Sequence, residues 1–147
     1  MATLKDSVLK FYMEQDYNCA ESLSRGANEY YQLGLNEDAL LALGGFGGGC
    51  YSGRMCGACS GSVAAISSKY IHTRAHAEDL ACSRVNEFVN AFIELFGTEM
   101  CEEIKKVHYK EELGTCCCRE TVEMAAELLE QKMSKFMAED EDMAKAE

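Results

Sequence analysis

Cysteine is the residue type whose number and spacing in this chain most clearly indicate chemistry. The 147 residues include nine cysteines. Three of them are consecutive, and four others follow in or after a glycine-rich stretch: Cys50, Cys56, Cys59 and, further on, Cys82. Grouped thiols can hold a metal or an iron–sulfur cluster, carry out thiol–disulfide exchange, or staple a fold. The chain is long enough to bury a core without staples, and an odd number argues against a closed disulfide framework. Metal or cluster binding and thiol–disulfide exchange are therefore favoured over structural disulfides.

Cys56 and Cys59 form a CxxC motif at the start of a predicted helix. A helix N-terminus lowers the pKa of a thiol and favours the thiolate, which is the form that binds metal and attacks disulfides. Residues three apart lie on one face of a helix, so both sulfur atoms can face one ion or each other. Ser60 follows the motif where c-type haem attachment requires histidine, and no thioredoxin-like βαβ pattern surrounds it. The alternative interpretation is a pair of small buried core residues.

The ten residues 44–53, GGFGGGCYSG, predict a loop. The loop does not match the dinucleotide fingerprint, because Cys50 stands where its last glycine belongs, and it is not a P-loop, because Arg54 stands where lysine is required. Backbone N–H groups in such a loop can point at thiolates or cluster sulfides. A plain connecting loop is the alternative. The candidate cofactor-binding glycines are Gly47, Gly48, Gly49 and Gly57.

Helical periodicity dominates the chain, which has no proline and little strand-like alternation. The pattern predicts an all-α, single-domain bundle of six or seven helices in which the glycine-rich loop carries the cysteine site. Asn18, Asn36, Thr98 and Thr115 are predicted N-caps. We expect a helical cysteine-rich redox domain over residues 1–137 and an acidic flexible tail over 138–147. The predicted helices cover about residues 3–16, 19–33, 37–43, 56–70, 75–96, 99–106 and 116–137.

The composition limits the partners and the compartment. A net charge of −11 excludes nucleic-acid binding, which requires a positive surface, and suits docking to a basic redox partner protein. No apolar run approaches the roughly 20 residues of a membrane span, and the charged N-terminal segment predicts no signal peptide. We therefore expect a cytoplasmic protein without membrane insertion, with its thiols kept reduced. Helical faces rich in phenylalanine and methionine would allow a homodimer.

Five sequence elements together resemble the redox-active family that is named after its cysteine pattern, C_GCAxxG_C_C. The resemblance extends from about Tyr17 to about Leu129. In chain order the elements are Asn18-Cys19-Ala20-Glu21, Gly45-Phe46-Gly47-Gly48-Gly49, Cys56-Gly57-Ala58 followed by Gly61, Phe96-Gly97-Thr98 followed by Cys101, and Cys118 followed by Val122 and Ala125-Ala126.

The resemblance implies a helical, redox-active protein whose key cysteines are Cys19, Cys56, Cys101 and Cys118. Related sequence occurs in split-Soret cytochromes, which have an iron–sulfur centre, but their haem cannot be carried over because this chain lacks CxxCH. Cys82 is expected to be a packing residue. The remaining cysteines are additional to the family pattern and could ligate a larger or second cluster or act as resolving thiols: Cys50, Cys59, Cys116 and Cys117.

Three functions are compatible with these residues. The first is a redox protein that holds a [4Fe-4S] or [2Fe-2S] iron–sulfur cluster by its key cysteines, for electron transfer or reduction of a small-molecule acceptor. The second is a metal-free thiol–disulfide oxidoreductase or redox sensor, with Cys56 and Cys59 as the exchanging pair and one of Cys116, Cys117 and Cys118 as the resolving thiol. The third binds a soft metal, zinc or copper. The iron–sulfur cluster ranks first, because four cysteines that are separated in the sequence suit a set of cluster ligands better than a single pair of exchanging thiols.

Overall fold

The first three helices begin at residues whose side chains satisfy free backbone N–H groups. In the computed structural model, which describes residues 2–147, Asn18 Oδ1 accepts a hydrogen bond from the backbone N–H of Glu21 at 2.9 Å, and Glu21 Oε1 accepts from the N–H of Asn18 at 3.0 Å. Thr3 forms a similar capping box, and Asn36 caps the third helix. The predicted caps Asn18 and Asn36 are therefore confirmed.

Seven α-helices make up the bundle, and the described residues contain no β-strand, which confirms the all-α prediction. No helix among them is both long and apolar enough to cross a membrane. Shorter helical turns lie at Lys10–Glu14, Gly44–Phe46, Gly49–Gly53, Ala75–Ala77 and Glu111–Cys116. The helices are α1 Leu4–Leu9, α2 Cys19–Tyr31, α3 Glu37–Leu41, α4 Gly57–Tyr70, α5 Asp79–Phe96, α6 Cys101–His108 and α7 Arg119–Ala146.

Helix α4 is the centre of the bundle and packs against α2, α5 and α7. Its first half is made of small residues, which let α2 approach closely. A Cβ atom on Gly61 would lie 2.5 Å from the carbonyl oxygen of Ala20 in α2. The core is completed by large side chains that are fully buried: Leu4, Leu23, Ile66, Phe88, Phe92, Leu129, Met133 and Phe136.

The last two helices begin later than the sequence predicted. Thr98 does not cap α6, because its hydroxyl accepts a hydrogen bond from the backbone N–H of Met100 (3.1 Å), and the helix starts at Cys101. Thr115 does not cap α7, because residues 111–116 form a separate turn in which Gly114 has a φ of 61°. The helix then starts at Arg119.

Helix α7 also extends beyond its predicted end at residue 137 and runs to Ala146. Arg84 of α5 holds this extension, since its side chain is buried and pairs with Asp140 at 2.8 Å and Glu139 at 3.4 Å. The helix end predicted from the sequence is therefore wrong. The division into a domain of residues 1–137 and a flexible tail stays a prediction.

Candidate metal centre

Four helices begin next to one cavity, and each has a cysteine at its first residue or immediately before it. Cys19 and Cys101 are the first residues of α2 and α6, and Cys56 and Cys118 immediately precede α4 and α7. All four line a cavity of about 140 Å³. Because the N-terminus of a helix carries partial positive charge, this arrangement directs four positive helix ends towards four thiols. We call these residues the cysteine quartet.

Asn18 connects Cys19 to the glycine-rich loop. While its Oδ1 caps α2, its Nδ2 donates to the carbonyl oxygen of Gly44 at 2.9 Å and to the hydroxyl of Tyr51 at 3.1 Å. A Cβ atom on Gly47 would collide with the Asn18 side chain. The loop therefore closes over the start of α2, and Tyr51 becomes part of the cavity wall.

A short antiparallel bridge between Met55 and Met100 brings Cys56 and Cys101 together. The backbone N–H of Cys56 donates to the carbonyl oxygen of Glu99 at 2.7 Å, and that of Cys101 donates to the carbonyl oxygen of Arg54 at 2.6 Å. These two hydrogen bonds fix the residues that precede α4 and α6. Two members of the quartet that are 45 positions apart are thus held side by side.

The loop that covers the cavity contains a left-handed turn. Four consecutive residues, Gly48, Gly49, Cys50 and Tyr51, have φ angles between 50° and 64°. Such a run is costly for Cys50 and Tyr51, whose Cβ atoms disfavour this region. A Cβ atom on Gly49 would lie 2.8 Å from the Cβ of Cys101. The turn thereby places the loop directly against the quartet.

The three consecutive cysteines face different surroundings. Cys117 and Cys118 both line the cavity, and their sulfur atoms are 3.9 Å apart. Cys116 instead donates from its sulfur to the carbonyl oxygen of Tyr12 at 3.7 Å and packs against the core. The structure therefore adds Cys117 to the surroundings of the quartet.

The other cysteines lie apart from the cavity. Cys59, the second residue of the CxxC motif, is fully buried in the core, and Cys50 is exposed on the loop. Cys82 is also exposed, at the start of α5, where its sulfur donates to the carbonyl oxygen of Ala75 at 3.4 Å. The prediction that Cys82 is a packing residue is therefore wrong, because its position on α5 faces solvent.

The candidate glycines have two different roles. Gly48 lines the cavity, and its backbone N–H, like that of Ala20, lies close enough to the Cys19 thiol to lower its pKa. Gly47 and Gly49 make room for Asn18 and Cys101, as described above. Gly57 makes room for Cys19, since a Cβ atom there would lie 2.6 Å from the Cys19 sulfur. Three of the four glycines thus allow close approach of protein atoms.

Burial dominates the protonation of the quartet. It raises the pKa of Cys19, Cys56 and Cys101, and it raises that of Cys118 to about 12. The backbone N–H groups of Gly48 and Ala20 lower the pKa of Cys19, but the rise caused by burial is larger than this lowering. The sequence-based prediction of a lowered thiol pKa at the CxxC motif is wrong for this reason. A metal that binds the thiolates must displace protons, so its affinity rises with pH.

Lys105 is the cation on the cavity wall, and no carboxylate among the described residues lines it. Burial acts to lower the pKa of Lys105, but the negative charge available on Cys101, Cys118 and Cys117 outweighs burial and raises it. The cysteine cavity is thus free of acidic side chains, although the chain as a whole carries a net charge of −11. Lys105 was not predicted from the sequence, although its spacing of four residues from Cys101 on one helix indicates a shared face.

The thiols of the cavity are the type of ligand that an iron–sulfur cluster requires. Among the described residues, no group of three or more cysteine, histidine, aspartate or glutamate side chains is arranged to hold one metal ion. The cavity nevertheless brings together five thiols, those of the quartet and Cys117, and no carboxylate. Thiolates are the ligands of [2Fe-2S] and [4Fe-4S] clusters. Four helix N-termini and Lys105 would offset the negative charge of such a cluster.

Differences in burial predict which thiols react first. In the folded, metal-free protein we expect iodoacetamide to label Cys50 and Cys82 well before Cys59 and the quartet, because the first two are exposed. Burial also raises the pKa of Cys59 to about 12, which leaves little reactive thiolate. Peptide mass spectrometry over a time course would measure the order. In urea the cysteines should react at similar rates, and labelling of Cys59 as fast as Cys82 in the folded protein would contradict the buried site.

The chain matches one family model, described as "Putative redox-active protein (C_GCAxxG_C_C)", over residues 17–132. The matched region contains all four members of the quartet and agrees with the extent of the resemblance found in the sequence. No curated protein and no solved structure matches the chain. The relation to split-Soret cytochromes stays a prediction. Because the match covers well over half of its residues, the chain belongs to the C_GCAxxG_C_C family of redox-active proteins.

Proposed function

We propose that this protein binds an iron–sulfur cluster through Cys19, Cys56, Cys101 and Cys118 and uses it to transfer electrons or to reduce a small molecule. The observation that supports the proposal most directly is the convergence of four helix starts, each with its cysteine, on one cavity without carboxylates. When bound, the cluster would supply a site that accepts and gives one electron at a time.

The chain's own residues would serve this chemistry in separate ways. The cysteine quartet would act as ligands once deprotonated, and Lys105 would stabilise their negative charge. The backbone N–H of Gly48 would donate to the Cys19 sulfur. Tyr51, which is 72% exposed, would separate the cavity from solvent on the loop side. Cys117 would lie beside the ligands as a neighbouring thiol.

The setting of the protein is part of the proposal. A net charge of −11 would favour a basic redox partner protein if the acceptor is a protein, since opposite charges speed transient docking. All nine cysteines are free thiols in the structure, which suits a reducing compartment such as the cytoplasm. A homodimer is compatible with the exposed apolar side chains, for example Val107 at 72% and Leu41 at 60% exposure.

Purification without oxygen tests the proposal. We expect a coloured protein with iron and acid-labile sulfide in comparable amounts and a broad visible absorption that bleaches on reduction. The measurements are the visible spectrum, the iron and sulfide content and the zinc and copper content of the same sample. A colourless protein that contains stoichiometric zinc or copper would support the soft-metal alternative. A metal-free protein with full redox activity would contradict the proposal.

A second candidate function is thiol–disulfide chemistry within the cavity. The observation in its favour is the 3.9 Å separation of the Cys117 and Cys118 sulfur atoms. Joining them would release two protons and two electrons to an oxidised dithiol substrate, which would become reduced. The pair Cys56 and Cys59 suits this role less, because Cys59 is fully buried in the core. Raised thiol pKa values also slow such exchange.

A further inference from the structure

Tyr12 enters the cysteine cavity from a segment outside the family match. It lies within the π-helical turn Lys10–Glu14 that follows α1, whereas the family model begins at residue 17. Turns of this type inside helices often occur at functional sites. The side chain is only 4% exposed and lines the cavity together with the quartet. The apolar pattern that buries Tyr12 explains its ring, but it does not explain the position of its hydroxyl group.

The Tyr12 residue makes two hydrogen bonds to the consecutive cysteines. Its hydroxyl oxygen accepts from the backbone N–H of Cys118 at 3.0 Å, and its carbonyl oxygen accepts from the sulfur of Cys116 at 3.7 Å. The N–H of Cys118 precedes α7 and has no other partner among the hydrogen bonds of the described residues. One residue of the N-terminal turn thus fixes both ends of the cysteine triplet.

The hydrogen of the Tyr12 hydroxyl group remains available to a ligand bound in the cavity. Residues 2–147 provide it with no acceptor, although the oxygen atom is engaged by Cys118. A phenol hydroxyl keeps its hydrogen at neutral pH, so the oxygen that accepts from Cys118 can still donate a hydrogen bond of its own.

We propose that Tyr12 is a positioning residue for Cys118 and supplies a hydrogen-bond donor to the sulfur atoms of a cluster bound in the cavity. The second part rests on the proposed function. Hydrogen bonds to cluster sulfur atoms favour the more negative, reduced state and so raise the reduction potential. Tyr12 would thereby adjust the potential of a cluster that it does not ligate.

Tyr12→Phe tests the proposal, because it keeps the ring and removes the hydroxyl group. The substitution thereby removes both the acceptor for the Cys118 N–H and the donor to the cluster. Tyr31→Phe is the matched control, since the Tyr31 hydroxyl is buried without a partner and does not line the cavity. In protein loaded with its cluster, we expect Tyr12→Phe to make the reduction potential more negative and Tyr31→Phe to leave it unchanged. Equal potentials in wild type and Tyr12→Phe at equal iron content would overturn the donor role while the proposed function stands.

Hydrogen exchange separates this proposal from the function. In metal-free protein, we expect the Cys118 amide to be protected in the wild type and in Tyr31→Phe and to exchange freely in Tyr12→Phe. That result would support the positioning role even if the purified protein contained no iron and the proposed function had failed. Free exchange of the Cys118 amide in the wild type would overturn the positioning role. Because this last measurement needs no variant, it can overturn the positioning role of Tyr12 even if Tyr12→Phe does not fold.

Discussion

Serine in place of any one of Cys19, Cys56, Cys101 and Cys118 is expected to reduce the iron and sulfide content of the anaerobically purified protein to near the background level. A serine oxygen is a harder and far less acidic ligand than a thiolate, and cluster iron prefers sulfur. Loss of a mere outer partner of a metal ligand typically costs about 10–100-fold in affinity, so loss of a ligand itself should cost more. The measurement is iron and sulfide per protein, with the visible spectrum.

Exposed cysteines provide matched controls for this series. Cys50→Ser and Cys82→Ser make the same chemical change at residues that do not line the cavity. Both variants should keep the cluster content of the wild type. If Cys82→Ser lost as much iron as Cys56→Ser, the loss would reflect general damage and not ligation. Circular dichroism of each variant would show whether the helices remain.

The pair Cys117 and Cys118 allows the fourth ligand to be identified. Both residues line the cavity, but the resemblance implies that Cys118 is the fourth key cysteine, and the backbone N–H of Cys118 also donates to Tyr12. We therefore expect Cys118→Ser to lose the cluster and Cys117→Ser to retain most of it. The reverse result would move the ligand to Cys117, and equal retention by both would indicate that the two thiols can replace one another.

The helices and their caps could be predicted from the sequence because their causes are local. Asn18 followed three residues later by Glu21 is a capping box in any sequence, and Gly97, with a φ of 79°, ends α5 where the apolar stripe ends. The stripe of α7 was predicted in the same way, since Val122, Ala125, Ala126, Leu129 and Met133 recur at helical spacing and are all buried. Local rules failed at Thr98 and Thr115, where neighbouring turns compete for the same groups.

The convergence of the quartet depends on contacts that no local rule provides. The bridge between Met55 and Met100 pairs two single residues that have no strand pattern around them. The sequence also could not show that Cys56 and Cys59, at ideal spacing for a shared ligand, would face a cavity and the core respectively. Cys59 follows the buried face of α4, whereas Cys56 precedes the helix and follows the bridge.

The resemblance to the family predicted the quartet, and the structure gives a physical reason for residues in three of the five elements. Asn18 caps α2 and holds the loop, Ala20 lies against Gly61, and the loop glycines adopt the left-handed turn or admit neighbouring side chains. These residues surround the cysteines without being ligands. In this chain, the meeting of the four cysteines therefore depends on the small residues that let four helix starts approach one another.

Gly57→Ala is expected to destabilise the protein and to reduce its cluster content together. The new Cβ atom would lie 2.6 Å from the Cys19 sulfur and 2.9 Å from the carbonyl oxygen of Phe46, which is closer than real Cβ contacts. Either α2 must move away from α4, or the sulfur of Cys19 must rotate away from Cys56. Overpacking of this kind costs about 1–3 kcal/mol.

Urea unfolding of the metal-free protein would measure the loss of stability, and iron content would measure the displacement of Cys19. Gly45→Ala is the matched control, since a Cβ atom there meets nothing within 4 Å and the residue lies beside Phe46, whose carbonyl oxygen the Cβ of Gly57→Ala would meet. We expect Gly45→Ala to change neither quantity. If Gly57→Ala lost stability but bound the full amount of iron, the clash would be relieved by movement of α2 and not by displacement of the Cys19 sulfur, and the predicted loss of cluster would be wrong.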